Sequence, residues 1–234
     1  PENITVSKRL SNSGSNANVA CGSSGAASTI NPSSGVPVII ASNDVSINGF
    51  EMTAPTSTYA INTSATSNLN IAFNNIHDIG TTLTNANVHA IIYTTSANAN
   101  NVVIADNCFD NISSNLNIRS GSAITAGFST DNGVLTGLVV ERNSITDVYS
   151  SNAQFPNGRG AYGILINLGA GAGTGHADGA IIRNNSISNL SGHWAHAIGL
   201  EGRTPNALVQ NNYVNGLFTT KTPSDAVGVM IETN

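Results

Sequence analysis

Apolar residues recur at fixed intervals in five segments of the chain, and an asparagine stands at the same place in each of them. The segments are LNIAFNNIHDI, VVIADNCFDNI, LVVERNSITDV, AIIRNNSISNL and ALVQNNYVNGL, at residues 69–79, 102–112, 138–148, 180–190 and 207–217. They align without gaps, and such self-similarity is typical of an architecture in which each repeat packs on the next.

Three columns of this alignment are apolar throughout, and each predicts a row of core side chains. The first column is Ile71, Ile104, Val140, Ile182 and Val209. The second is Ile76, Phe109, Ile145, Ile187 and Val214. The third is Ile79, Ile112, Val148, Leu190 and Leu217.

The asparagine column lies between the first two apolar columns and consists of Asn74, Asn107, Asn143, Asn185 and Asn212. Asparagine tolerates the left-handed backbone conformation that a sharp bend between two strands requires. Its side-chain amide can also bond to the same residue in the coils above and below. The column therefore predicts a corner and a structural ladder.

A second strand follows each segment after a loop of variable length, beginning near residues 89, 122, 162, 196 and 227. Its predicted inward column is Ile91, Ile124, Ile164, Ile198 and Val229. Successive first-column residues lie 33, 36, 42 and 27 positions apart, from Ile71 to Val209. Repeated strands that are joined by loops of unequal length favour a parallel β-solenoid over a sandwich or a propeller. With the strand-like stretches at 2–11, 36–53 and 59–64, we expect about six or seven coils.

Composition supports an all-β protein and excludes several functions. Only 9% of the 234 residues are charged, and residues that favour surface helices are scarce. The net charge is −5 and no basic run occurs, so nucleic acid is not an expected partner. No apolar run approaches the roughly 20 residues of a membrane span. An asparagine-, serine- and threonine-rich surface suits an extracellular or cell-surface setting.

Two further features of the sequence concern processing and the cysteines. The chain begins at Pro1 without methionine or a signal-peptide pattern, which indicates a processed protein or a segment of a longer one. Cys21 and Cys108 are too few for a disulfide framework, and we expect them to be small, mostly inert side chains.

The repeated NNxIxxI-type corners, with the stretches ENITVSKRLS and DVSINGFEMT, resemble the right-handed parallel β-helix (pectin-lyase-like) superfamily. The resemblance covers nearly the whole chain, residues 1–234, as a single domain, and is closest to secreted bacterial surface and adhesin-like proteins. It implies a fold and not an activity. The calcium-binding aspartates of pectate lyases and the neighbouring aspartates of polygalacturonases are not recognisable in this sequence.

Glu201 and Glu232 each stand three residues after an aligned inward position, so the repeat places them on adjacent coils. Parallel strands are about 4.8 Å apart. The two carboxylates could bind calcium, or act as acid and nucleophile of a retaining glycosidase. The favoured interpretation is that they flank the strand end in water without a further role, because repulsion between solvated carboxylates at this distance is about 1 kcal/mol or less.

A shallow groove is predicted where two long loops, 149–161 and 168–179, flank the strand around Ile164. Its expected ligand-binding residues are Arg159, His176, Asp178, Trp194, Glu201 and Arg203. Trp194 could stack on a sugar ring with help from Tyr162 or Phe155, although a lone aromatic side chain at a strand end more often packs against a neighbouring loop. The stretch LGAGAGTGHADG lacks the final glycine and the helix of a dinucleotide loop, and we interpret it as a flexible connector. His193 and His196 have the wrong spacing for two metal ligands on one strand face.

Charged residues on the first strand of the repeat predict ion pairs between neighbouring coils. Asp106 falls beside Arg142, and Glu141 falls beside Arg183. Exposed cross-strand pairs contribute about 0.2–1 kcal/mol each.

The sequence thus favours a non-enzymatic structural module, a rigid part of a surface, filament or adhesin-like assembly. No capping element is evident at either end, so we expect copies to stack end to end, unless a longer chain supplies the caps. The apolar outward positions Ile92, Leu165 and Met230 predict packing side by side. The alternative is a polysaccharide lyase, glycoside hydrolase or polysaccharide-binding protein, including a phage tailspike-like one. No cofactor is expected apart from the possible calcium.

Overall fold

Residues 2–21, 25–83, 86–114, 120–150, 160–220 and 224–232 are described by the computed structural model, and within these ranges the chain forms strands, turns and bends without a helix. The strands belong to three parallel sheets.

The first sheet has eight strands. In spatial order they are β1 (Ile4–Val6), β4 (Val38–Ile40), β7 (Tyr59–Ser64), β10 (Val88–Thr94), β13 (Gly121–Ala126), β16 (Gly160–Ile166), β20 (Trp194–Leu200) and β23 (Ala226–Ile231). The second sheet contains β2 (Leu10–Ser13), β5 (Val45–Asn48), β8 (Leu69–Ala72), β11 (Ala99–Ala105), β14 (Val134–Glu141), β18 (Ile181–Arg183) and β21 (Leu208–Gln210), and β17 (His176–Asp178) also pairs with β14.

The third sheet contains β3 (Ser28–Ile30), β6 (Phe50–Ala54), β9 (Asn75–Ile79), β12 (Cys108–Ser114), β15 (Ser144–Ser150), β19 (Ser186–Gly192) and β22 (Tyr213–Thr219). Consecutive strands fall in the first, second and third sheet in turn, except that β17 and β18 both lie in the second. This winding is that of a parallel β-solenoid.

The predicted apolar columns are rows of register partners. Ile71 pairs with Ile104, Ile104 with Val140, and the row continues through the last segment. The second and third columns pair in the same way along the third sheet. The inward column from Ile91 onward is also confirmed, although its last member, Val229, is 42% exposed. The alignment of the repeats therefore located these rows of the core.

The asparagine ladder is confirmed as a continuous chain of hydrogen bonds between strands. The side-chain oxygen of Asn107 accepts from both the main-chain N–H and the side-chain amide of Asn74, at 3.0 Å each. The same pair of bonds links Asn107 to Asn143, Asn143 to Asn185, and Asn185 to Asn212. Each amide also donates to a main-chain carbonyl, as Asn185 does to Val140 at 3.0 Å.

The predicted conformation of these asparagines is wrong, because the left-handed residue is the one before the ladder asparagine. A row of residues with positive φ angles of 54–56° precedes the ladder, at Phe73, Asp106, Arg142, Asn184 and Asn211. The ladder asparagines themselves are not among the residues with positive φ. Since the preceding residue takes the bend, the asparagine side chain points inward, and it is buried at Asn74, Asn107, Asn143 and Asn185 and half-buried at Asn212. The corner is therefore built from two residues, one for the turn and one for the hydrogen bonds.

The outward face of the first sheet differs from the expectation of an exposed apolar surface. Ile92 and Leu165 are only 1% and 5% exposed, and Met230 is partly buried. Because the folded chain itself covers Ile92 and Leu165, these two side chains offer no surface for packing side by side.

Cys21 and Cys108 form a disulfide, which corrects the expectation of inert side chains. The N-terminal segment leaves β2, and Asn16 donates its N–H to the carbonyl of Gly49 at 3.2 Å. Gly49 has φ +76°, and a β-carbon there would lie 2.1 Å from the nitrogen of Ala17. Only glycine fits this crossing. The segment then reaches Cys108 on β12, so the bond joins parts of the chain 87 residues apart.

Both predicted ion pairs form between neighbouring strands. Arg142 donates to both carboxylate oxygens of Asp106 at 2.8 Å, and Arg183 donates from Nε to Glu141 at 2.6 Å. Arg142 also pairs with Glu141, whose side chain is 11% exposed and lies between the two guanidinium groups. These charges form a network and not two isolated surface pairs.

The glycine-rich stretch 168–179 is not the free connector that its composition predicts. The N–H groups of Gly171 and Gly173 donate to the carbonyl of Ser129, and that of Gly175 donates to Asp131. The stretch ends in β17.

In the described part of the chain there is no helix with the length and apolar character that crossing a membrane requires.

Candidate functional site

The strongest candidate site is a cleft of about 420 Å³ at the C-terminal side of the first sheet. Its lining residues are Tyr162, Trp194, His196, Glu201, Asp225, Met230, Ile231 and Glu232. The cleft therefore brings together Trp194, Glu201 and Glu232 from the residues that the sequence singled out.

Strand register explains why these side chains meet. Trp194 and His196 are two residues apart on β20, so both point to the same face of the sheet. Tyr162 on β16 is the register partner of His196. Glu201 and Glu232 directly follow Leu200 and Ile231, which are register partners on β20 and β23. The repeat thus sets the two carboxylates side by side at the ends of adjacent strands.

His196 is the buried polar group of the cleft, with a side chain only 3% exposed. Its Nε2 lies 3.4 Å from Oδ1 of Asp225, and its Nδ1 lies 4.0 Å from Oε1 of Glu201. The Tyr162 ring meets the imidazole edge-on, with ring centroids 5.4 Å apart. The side chain of Asp225 is 54% exposed and that of Glu201 is 17% exposed. The acidic groups therefore range from nearly buried to open.

The remaining predicted groove residues lie elsewhere or outside the described residues. His176 and Asp178 are on β17 in the second sheet, where Asp178 accepts a 3.0 Å hydrogen bond from Asn206. The carbonyl of Arg203 accepts from the N–H of Ala177 at 2.9 Å. These three residues are near one another but do not line the cleft, so the predicted single groove is wrong in this part. Arg159, like Phe155, lies outside the described residues.

A metal centre does not emerge from the described side chains. Nowhere in the described ranges do three or more histidine, cysteine, aspartate or glutamate side chains converge as metal ligands. Calcium takes about six to eight oxygen ligands. The pair Glu201 and Glu232 would need further oxygens, and calcium at this pair stays a prediction.

A second polar cluster, not identified from the sequence, is buried on the first sheet. Nδ1 of His89 lies 2.6 Å from Oγ of Ser122 and 2.9 Å from Oγ1 of Thr125. Its ring stacks on Tyr59 at a centroid distance of 6.0 Å. A serine beside a histidine is the start of a nucleophile–base arrangement. Ser122 is 0% exposed and His89 is 4% exposed, so no substrate reaches them and the cluster is part of the packing.

Burial determines the electrostatics of His89. Desolvation lowers the pKa of His89 to about 4, because no charged partner compensates for removing the imidazolium from water. Nε2 of His89 is buried without a hydrogen-bond partner in the described structure. The residue is therefore neutral in the folded protein at physiological pH.

A third group lies on the third sheet around His77. Its Nε2 is 3.1 Å from Glu51 and its Nδ1 is 2.8 Å from Asp78. Burial opposes the charge on His77, but the hydrogen bonds to both carboxylates outweigh it and raise the pKa of the imidazole. The hydrogen bond from His77 lowers the pKa of Asp78. This is an ion-pair cluster that links β6 to β9.

No family model matches the chain, and neither the curated proteins nor the solved structures contain a significant match to it.

Proposed function

We propose that the chain is a non-enzymatic structural β-solenoid, a rigid module of an extracellular surface, filament or adhesin-like assembly. The main support is the apolar edge formed by β21, β22 and β23. Among the described strands, each of these three pairs on one side only. Their exposed apolar side chains include Tyr213 at 63%, Phe218 at 56% and Ile231 at 66%. An exposed strand edge of this kind is a template for pairing with another chain.

The proposed coil is right-handed and belongs to the pectin-lyase-like superfamily, with about six or seven turns. The regular succession of the three sheets supports this proposal, as does the asparagine ladder, which runs from coil to coil. Right-handed crossovers are strongly preferred between parallel strands. The disulfide between Cys21 and Cys108 supports an extracellular location, since such bonds persist in oxidising compartments.

The proposed occupant of the apolar edge is a second copy of the chain. At the opposite edge Val6 on β1 and Ile30 on β3 are only 2% and 7% exposed, whereas Leu10 on β2 is 44% exposed. Ile231 on β23 lies in the same register row as Val6 and is 66% exposed, and Val229 on the same strand is 42% exposed. Burying the C-terminal edge against another copy would remove its apolar side chains from water, at about 25 cal/mol per Å².

Sedimentation velocity over a range of protein concentrations tests the stacking. We expect concentration-dependent association that is weakened strongly by Ile231→Lys, because the charge would be buried at the contact. The control is Tyr149→Lys on β15, which is 39% exposed in the middle of the third sheet. A wild-type monomer at all concentrations would overturn the proposal.

A second candidate function is carbohydrate binding or cleavage at the cleft. The observation that favours it is an aromatic side chain, Trp194, in one cleft with the adjacent carboxylates of Glu201 and Glu232. The test is incubation with acidic and neutral polysaccharides while reducing ends and unsaturated products are measured. Turnover that is abolished by Glu201→Gln, and kept in the distant variant Glu51→Gln, would replace the structural proposal with a lyase or hydrolase, including a tailspike-like one.

A further inference from the structure

The described lining of the cleft beside β20 is acidic. Three of its lining residues, Glu201, Asp225 and Glu232, carry carboxylates, and the described lining contains neither lysine nor arginine. A polyuronate entering this cleft would bring like charges together, which is unfavourable in a partly buried site. The charge of the described lining therefore disfavours acidic polysaccharides and favours a cation.

His196 provides an independent indication that the cleft is built for a ligand. The side chain is 3% exposed, and its Nδ1 is buried without a hydrogen-bond partner in the described structure. When Nε2–H donates to Asp225 across 3.4 Å, Nδ1 of the neutral ring is an acceptor. A buried acceptor without a donor is unfavourable. A ligand N–H or O–H can remove this cost.

The cleft is thus rich in acceptors, because carboxylates and this imidazole nitrogen all accept hydrogen bonds. A protonated amine matches it best, since an ammonium group has three donors and no acceptor. Trp194, partly exposed at the rim, adds a face that attracts both cations and the C–H face of a sugar ring. A volume of about 420 Å³ lies within the usual range of small-ligand sites.

We infer that the cleft binds an oligosaccharide of amino sugars whose amines are free and protonated, with the ammonium group among Glu201, Asp225 and His196. This inference rests on the carbohydrate-binding candidate described above and specifies its ligand.

Binding can be measured directly, because Trp194 is the only tryptophan of the chain. The probe is a glucosamine hexamer, compared with its N-acetylated form, a neutral glucan hexamer, a galacturonate hexamer and an aliphatic polyamine. We expect a saturable change in Trp194 fluorescence with the glucosamine hexamer, at least tenfold tighter than with any other probe. The affinity should fall as salt rises.

Variants then locate the contact by calorimetry. Asp225→Asn should weaken glucosamine-hexamer binding about tenfold, and because Asp225 is 54% exposed, folding should be unaffected. Glu201→Gln should do the same, whereas the control Asp178→Asn in the second sheet should not. Unchanged affinity in both cleft variants would overturn the assignment of the ammonium position.

The other outcomes separate the two levels of the hypothesis. Equal affinity for the acetylated or neutral hexamer would overturn the cationic ligand and leave carbohydrate binding standing. Equal affinity for the polyamine would mean a simple cation site, and absence of binding to every oligosaccharide would overturn both the inference and the carbohydrate candidate.

Discussion

The side-chain amide of Asn143 donates a 3.0 Å hydrogen bond to the side-chain oxygen of Asn185, although the two residues are 42 positions apart. The same oxygen also accepts the main-chain N–H of Asn143. Both residues are 1% exposed, so water does not substitute for either bond. A buried, fully bonded polar row of this kind fixes the register of neighbouring strands, because a one-residue slip would leave every amide unpaired.

Replacing Asn185 by leucine should therefore destabilise the protein although the volume is nearly conserved. The change removes the acceptor of two donors on Asn143 and leaves the Val140 carbonyl without its side-chain donor. A buried polar group that is left without its hydrogen-bond partner costs about 1–3 kcal/mol of stability. We expect a loss of about that size in the free energy of unfolding, measured by denaturant titration.

The matched control is Asn215→Leu on β22, where the asparagine is exposed. It should leave the free energy of unfolding within about 0.5 kcal/mol of wild type. Equal stability of the Asn185 and Asn215 variants would mean that the ladder does not contribute to folding.

A second prediction concerns the left-handed residue before each ladder asparagine. Asn184 is exposed and has φ +56°. A β-branched residue in this conformation is strained by about 1–2 kcal/mol, whereas glycine adopts it freely. Asn184→Val should lower the melting temperature, and Asn184→Gly should leave it unchanged or raise it slightly. Ser186→Val, on an exposed strand position two residues later, is the control for adding valine, and a similar loss there would contradict the backbone explanation.

The apolar columns and the ladder could be predicted because both follow from strand periodicity and from pairing between equivalent residues. The left-handed row could not, since it contains Phe73 and Arg142 beside two asparagines and one aspartate, and no residue type marks it. Two of the five segments also have asparagine at both positions, which hides the difference between the bend and the ladder. At each corner one of two adjacent residues takes the left-handed conformation and the other points inward. The residue types at these two positions do not show which is which.

The disulfide is outside the repeat pattern and sets up a third prediction. Chain-entropy arguments give about 3–5 kcal/mol for a bond that closes a loop of 87 or so residues. Replacing both Cys21 and Cys108 by serine should lower stability by up to that amount. Because the bond anchors the segment that crosses Gly49, proteolysis should first cut this segment. The reduced wild-type protein should behave in the same way, and resistance of both forms to cleavage would contradict the role of the bond as an anchor.

The candidate site was predictable only where it belongs to the repeat. Glu201 and Glu232 follow equivalent strand positions, so the alignment brought them together correctly. His176 and Arg203 belong to connections, and loop length does not tell which sheet a connection covers. Asp225 reaches the cleft through the path of the chain into β23, and His196 is covered by its register partner on β16. Neither relationship can be predicted without the three-dimensional structure.

The last prediction follows from the neutral state of His89. Burial holds the pKa of His89 at about 4 in the folded protein, against about 6.5 in the unfolded chain. As the pH falls below about 6.5, the unfolded chain binds a proton that the folded protein does not, so acid favours unfolding. The effect is absent above this pH, grows down to about pH 4 and then levels off. At about 1.4 kcal/mol per pKa unit, it amounts to roughly 3 kcal/mol. His89→Gln should flatten the stability profile between these pH values in denaturant titrations, whereas the partly exposed control His176→Gln should keep it. If the His89 variant loses stability with acid as steeply as wild type, another buried group must be the one that titrates.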